Sequence, residues 1–183
     1  MNKIKKRKLI FKNQVYKVYS NYIKFKSLVI KDYLSIEVKG KVYGGVCSIL
    51  IHKNKIGLMK SYSPIIDKYF FSLPQGFTDS NEDVRNAVKR EVFEETGINL
   101  KKKNFKKICE FYPIQSLIKS KLAVFYSKID KEIDSVRENI QDEIGVGKLS
   151  FFKYSEVKKM LKNSSSFDLI SFSSLTYFFL EYK

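Results

Sequence analysis

The sequence has one histidine, two cysteines, and no uninterrupted apolar run that approaches the roughly 20 residues a membrane span requires. A single imidazole, His52, cannot build a histidine metal site, and no Ser-His-Asp arrangement accompanies it. Its position at a strand end beside a polar turn reads as an exposed turn residue. Cys47 and Cys109 lie far apart without a CxxC spacing, which excludes a disulfide framework and a zinc-cysteine site. Buried, reduced thiols fit a cytoplasmic protein. The N-terminus, MNKIKKRKLIF, is basic but lacks the apolar stretch of a secretory signal. Arginine is scarce, present only at positions 7, 85, 90 and 137, and there is no internal repeat or low-complexity linker.

What the chain has instead is lysine. Lys and Arg total 35 against 19 Asp and Glu, for a net charge of +16. Such a surplus suits an anionic partner, a nucleotide or RNA, and suits equally a coding bias toward Lys, Ile, Asn, Tyr and Phe with no binding role. A hydrophobic fraction of 44% in 183 residues supports one folded domain with a sizeable core.

Read in order, residues 1–13 are a solvated basic arm, with an RNA-contacting arm as the alternative. Residues 22–30 and 33–39 alternate polar and apolar side chains, the period of half-buried antiparallel strands, with Lys31-Asp32 as the turn between them. This hairpin is a candidate for pairing with a second subunit. The run 42–52 reads as a central strand, with Gly44-Gly45 marking a bulge or a close backbone approach, and 56–62 returns after a tight turn. Residues 63–77 are a loop and a short strand broken by Pro74 and Gly76. Strands follow from about Phe105 to Pro113, over 121–129 and over 148–154. The polar stretch 130–147, with Asp142 and Glu143, reads as a loop over a site. Ser155 caps a helix, and a last amphipathic helix runs from about Phe167 to Tyr182. The fold class is α/β with a mixed sheet between helical layers. Residues 1–40 form a basic arm with N-terminal strands, and 41–183 form the main domain.

The chemistry concentrates between Gly76 and Ile98. A helix is expected from about Glu82 to Thr96, capped by Ser80 or Asn81 and stopped by Gly97. Glu91, Glu94 and Glu95 project from one face of it, beside Arg90. Val84, Val88 and Val92 form the apolar stripe, and Glu91 and Glu95 border it instead of lying opposite. Carboxylates crowded toward the protein body repel one another unless a cation sits among them, and oxygen ligands suit Mg²⁺ or Mn²⁺.

This stretch resembles the Nudix box, Gly-x5-Glu-x7-Arg-Glu-U-x-Glu-Glu-x-Gly-U, where U is aliphatic. Gly76, Glu82, Arg90, Glu91, Val92, Glu94, Glu95, Gly97 and Ile98 meet every specified position. The resemblance implies a Nudix-type αβα sandwich and hydrolysis of a nucleoside diphosphate linked to another moiety. It implies Mg²⁺, with Mn²⁺ as an alternative. Glu91 and Glu95 would be the principal ligands and Glu94 a further ligand or the base. A backbone carbonyl at Gln75-Gly76 would complete the shell, and Arg90 would hold the glutamates in place.

Outside the box the chain is similar to the ADP-ribose and nucleotide-sugar pyrophosphatases of that family. These commonly carry a proline 16 residues after the last box glycine, the distance from Gly97 to Pro113. They often use a glutamate in the loop before the last strand, where Glu143 stands with Asp142 as runner-up, and they dimerise through N-terminal strands. Tyr62, Phe70 and Tyr112 are candidate stacking residues for the base, and Tyr62, Tyr112 and Pro113 are the candidate substrate-binding residues. The chain departs from that group at Lys60-Ser61-Tyr62-Ser63, where Gln-Tyr-Arg is frequent, and at Ser72, where a glutamate often precedes Leu-Pro. These departures open other nucleotide sugars as substrates. The alternatives are an RNA 5′-pyrophosphohydrolase, favoured by Pro74-Gln75-Gly76, a dinucleoside polyphosphate hydrolase, and a non-catalytic ligand sensor, which would usually have lost box glutamates.

Overall fold

The computed structural model describes residues 3–39, 42–130 and 147–183. Asp142, Glu143 and most of the expected loop over 130–147 lie outside the described residues.

The core is built on β4 (Tyr43–His52), whose side chains are buried along nearly its whole length. Successive residues of a strand point to opposite faces. On β4, Val46 and Leu50 enter one apolar cluster, and Cys47, Ile49 and Ile51 enter another. β9 (Lys121–Ile129) pairs with it in parallel and divides the same way, with Ala123 and Phe125 on the first side and Leu122 and Val124 on the second. The sheet runs β10-β5-β4-β9-β8, where β5 is Lys55–Ser63, β8 is Lys106–Phe111 and β10 is Leu149–Lys153. β6 (Lys68–Ser72) adds to β5 and β7 (Gln75–Phe77) adds to β4.

Helix α1 (Val84–Thr96) covers the first face with Ala87, Val88 and Val92. Helices α2 (Tyr154–Leu161) and α3 (Leu169–Tyr182) cover the second with Val157, Leu175 and Phe178. The result is a mixed sheet between two helical layers, as the sequence predicts. Among the described residues no helix is long and apolar enough to cross a membrane.

A separate three-stranded antiparallel sheet precedes this sandwich: β1 (Ile4–Lys12), β2 (Tyr16–Phe25) and β3 (Leu28–Val38). It corrects two expectations. The basic arm is a strand, although every side chain on it is exposed. Main-chain pairing with β2 holds it, and two cations of the arm lie on aromatic faces, Arg7 over Tyr19 at 3.5 Å and, just before the strand, Lys3 over Phe25 at 3.8 Å. The hairpin turn is at Lys26-Ser27, with Lys31 and Asp32 inside β3. Lys26 takes φ 54°, the left-handed conformation a two-residue hairpin turn needs, which Asn or Gly would normally signal.

Three smaller expectations also change. His52 is half-buried, its Nδ1 3.0 Å from the Ile129 carbonyl and its ring edge-on to Phe151. α2 begins one residue before Ser155, and the Glu156 carboxylate accepts from the Lys153 N–H at 2.6 Å. α3 starts at Leu169, capped by Asp168 through the Ser171 N–H at 2.9 Å.

Candidate active site

The residue that caps α1 is Asp83, whose carboxylate accepts from the N–H groups of Arg85 and Asn86. Ser80 is engaged elsewhere, donating its hydroxyl to the Lys39 carbonyl at 3.1 Å, and Asn81 adopts φ 71°. Glu82 therefore stands just ahead of the helix, accepting from the Asp79 N–H at 3.0 Å. The C-terminal stop is at Gly97 as expected, with φ 72° and its N–H donated to the Phe93 carbonyl at 2.8 Å.

Glu91 and Glu95 are buried, 7% and 6% exposed, although both are carboxylates. Two features of β7 make room for them. A Cβ on Gly76 would sit 2.1 Å from the Glu91 carboxylate carbon, so only glycine lets that side chain lie against the strand. The Gln75 N–H donates to Glu95 Oε2 at 2.9 Å. β7 is itself seated by pairing with β4, Val46 opposite Gly76. A Cβ on Gly45 would come within 2.9 Å of the Gly76 carbonyl. The glycine pair thus serves both expected purposes, a close approach here and a register shift between Tyr43 and Gly45.

Arg90 gathers the acids. Its Nε and Nη2 fork onto Glu82 at 3.1 and 3.0 Å. Nη1 donates to Glu91 at 2.7 Å and to Glu94 at 2.9 Å, and Nη2 also donates to the Phe77 carbonyl at 2.8 Å. The Glu82 contact is the main reason the guanidinium is held above its ordinary pKa, and the same contact lowers Glu82. One guanidinium faces Glu82, Glu91 and Glu94, with Glu95 close by on the same helix face. The negative charge exceeds the positive, and the donors are all hard oxygens, which is the chemistry of a Mg²⁺ or Mn²⁺ site. The residues present fit such an ion by charge and donor type. Their carboxylates here are directed to Arg90 and the Gln75 N–H, and among the described residues no three acidic, cysteine or histidine groups converge to hold a metal.

A cavity of about 370 Å³ opens beside this cluster, lined by Gly76, Gln75, Phe77, Tyr16, Val38 and Pro113 among others. The structure thus brings Gly76 and Pro113 to one cavity. It places Tyr62 and Tyr112 outside its lining. The Tyr62 hydroxyl donates to Asp67 at 2.6 Å and its ring packs on Tyr69. Tyr112 is half exposed, with Lys121 Nζ 5.8 Å from its ring centre. Sequence reasoning missed Tyr16 and Phe77, which meet edge-to-face with centroids 5.7 Å apart. Phe77 had a signal, its place next to Gly76. Tyr16 had none, because only the chain's return through β2 brings it there.

Near the cavity, Glu110 is held down to about 2 by Lys107, then Lys121 and Tyr43. A carboxyl lowered from 4.5 in the folded state stabilises above 4.5 and loses that contribution as pH falls toward 2. Glu110→Gln is expected to flatten the acid limb of a stability-versus-pH curve over that window, most visibly at low salt because the group is exposed. An acid limb identical to wild type would remove Glu110 from the cause.

A family model described as NUDIX domain matches residues 43–169. The fold is similar to the crystal structure of an ADP compounds hydrolase, with a TM-score of 0.74, 15% identity, and 95% of this chain and 90% of that one covered. No curated protein matches the chain by sequence.

Proposed function

The chain belongs to the Nudix hydrolase family, and from that premise we propose that it hydrolyses the pyrophosphate bond of ADP-ribose or a related nucleotide sugar, releasing a nucleoside monophosphate and a sugar phosphate. The observation that carries this reading is the arrangement of Glu91 and Glu94 on Arg90 and of buried Glu95 on the Gln75 N–H, against a glycine strand that opens onto a cavity sized for a nucleoside. The similar fold of a hydrolase of ADP compounds supports it.

In this reading Glu91 and Glu95 hold Mg²⁺ or Mn²⁺, with Glu94 and the Gly76 carbonyl as further oxygens. The bound ion supplies neutralisation of the phosphate oxygens and lowers the pKa of a water. Arg90 positions Glu91 and Glu94 and does not itself touch the reacting atoms. The cavity receives the nucleoside against Tyr16 and Phe77. The buried Gln75 side-chain oxygen, which has no hydrogen-bond partner among the described residues, accepts from an N–H or O–H of the substrate. Glu143 takes the proton of the attacking water, with Glu94 as its substitute. Glu143→Gln is then expected to lower kcat by about 10²–10⁴; an unchanged kcat would return the base to Glu94.

The first forty residues form an appended unit in this reading, and the exposed Phe11, Leu28 and Leu34 on one face of its sheet are the surface on which a second copy pairs. Light scattering that reads a monomer at micromolar concentration would remove the dimer. The enzyme is taken as cytoplasmic. A screen of nucleotide sugars, dinucleoside polyphosphates and triphosphorylated RNA with Mg²⁺ and Mn²⁺ tests the whole reading. Release of AMP and ribose 5-phosphate from ADP-ribose is the expected result. No ADP-ribose turnover alongside conversion of the RNA would assign the protein to RNA 5′ ends.

A further inference from the structure

A second depression, of about 580 Å³, adjoins the nucleoside cavity and shares Tyr16, Val38 and Ser120 with it. Its lining is cationic: Lys12, Lys17, Lys39 and Lys119, with Glu37 as the acid among them. Two of these lysines are already matched. Lys39 is ion-paired with Asp79, and Lys119 lies 3.7 Å from Glu37. Glu37 is itself engaged by Arg7 at 2.8 Å. Among the described residues Lys12 and Lys17 make no salt bridge, although Lys17 stands opposite Glu37 across the β2–β3 pair, because the Glu37 carboxylate is taken by Arg7 and Lys119.

Lys17 has cross-strand neighbours of both signs, Glu37 on β3 and Lys12 on β1. Lys12 and Lys17 are direct cross-strand partners at the end of the β1–β2 hairpin, and like charges opposite each other on antiparallel strands repel. The hairpin does not relieve this by fraying. Asn13 Oδ1 accepts from the N–H groups of Val15 at 2.9 Å and Tyr16 at 2.6 Å, which fixes the turn between the two lysines. The same turn sets Tyr16, so the ring that lines the nucleoside cavity and the paired ammonium groups are held by one local structure.

We propose that Lys12 and Lys17 bind a second phosphate of the substrate, carried on the ribose 2′ or 3′ oxygen of the nucleoside and separate from the scissile pyrophosphate. The proposal rests on the hydrolase reading, because it places the pyrophosphate at Gly76 and the nucleoside against Tyr16. The order of features fits: a carboxylate cluster, then an apolar cavity, then two unmatched cations. A dianionic monophosphate between two ammonium groups replaces their repulsion with two charge-assisted contacts. Within this depression the cations without an ion pair are the one pair Lys12 and Lys17, whereas a groove for a nucleic-acid strand needs cations along a track. The substrate class is therefore a small nucleotide with phosphate on both sides of one nucleoside.

Binding and turnover test this separately. Calorimetry on the full chain would compare adenosine 2′,5′-bisphosphate and adenosine 3′,5′-bisphosphate with AMP. At least one bisphosphate should bind about tenfold more tightly, a gain of about 1.4 kcal/mol, and the preferred isomer identifies which oxygen carries the phosphate. Lys12→Ala/Lys17→Ala should bring that ratio to about one, and the single charge reversal Lys17→Glu should do the same by itself. In turnover, ADP-ribose 2′-phosphate or its 3′ isomer should show a lower KM than ADP-ribose, by a similar factor. A ratio of one in the wild type, or a preference that survives in both variants, would overturn the proposal even where ADP-ribose is hydrolysed well. If no pyrophosphate is cleaved but the tenfold ratio holds and depends on the lysines, the phosphate site stands and the hydrolase reading falls. A short RNA that binds a hundredfold more tightly than either bisphosphate would replace the small-nucleotide ligand with a strand.

Discussion

Glu95→Gln is expected to lower Mg²⁺-dependent turnover by more than about a hundredfold while leaving the metal-free protein as stable as wild type or slightly more so. The two effects come from one charge. Glu95 is almost fully buried and accepts from the Gln75 N–H through Oε2. Glutamine has nearly the same shape, and its amide oxygen keeps that hydrogen bond, so the seat of β7 on α1 survives. What disappears is a negative charge from a face where acids outnumber the one guanidinium. Without metal, that loss relieves repulsion. With metal, on the proposed reading, it removes a hard anionic ligand that an amide replaces poorly. Thermal melts with EDTA and with Mg²⁺, beside a rate assay, separate these consequences. The variant should melt no lower than wild type in EDTA and gain less from Mg²⁺. A near wild-type rate would take Glu95 out of the metal site, and a large loss of stability in EDTA would make its role one of packing.

How far the site was legible follows from which of its contacts are local. Spacing alone placed Glu91, Glu94 and Glu95 on one helical face beside Arg90 and put the stop at Gly97, because both depend on helix geometry over a few residues. The buried state of Glu91 and Glu95 was also readable, since they border the valine stripe. The start of the helix was not. Ser80, Asn81 and Asp83 are all competent caps, and the choice of Asp83 is made by a distant group, the Lys39 carbonyl that takes the Ser80 hydroxyl. The Gly44-Gly45 pair marks a bulge or a close approach without naming what approaches, and Gly76 reads only as a strand break and a position of the box. Strand β1 was hidden for a different reason. Both its faces are exposed, so it lacks the alternation that identifies a strand, and a run of lysines reads as solvent-facing arm. The parallel pairing of β4 with β9, some seventy residues later, leaves no local trace, nor does the approach of Tyr16 to Phe77.

Arg90→Ala is expected to be the most damaging single change at this site, in stability as well as in rate. The guanidinium donates to Glu82, Glu91, Glu94 and the Phe77 carbonyl, and so ties the segment before the helix, the helix and the end of β7 together. Its removal leaves those carboxylates mutually repelling and the Phe77 carbonyl without its donor. Breaking a buried pair costs about 3–5 kcal/mol, and the arginine side chain is 31% exposed, so solvent screening brings the expected loss to about 2–3 kcal/mol. In a chain of this length that corresponds to a melting point lower by about 4–12 °C. Mg²⁺ should recover more of the melting temperature in Arg90→Ala than it adds to wild type, because the ion then supplies the cluster's missing positive charge. It should not recover the rate, since an ion neutralises Glu82, Glu91 and Glu94 without orienting them. Arg90→Lys separates charge from geometry: a point charge on a flexible stem restores part of the stability but cannot fork onto Glu82 while reaching Glu91 and Glu94. Stability near wild type with a rate still well below it is the expected result for the lysine variant. An Arg90→Ala protein that melts with wild type and turns over normally would show that the glutamates are held by the fold alone.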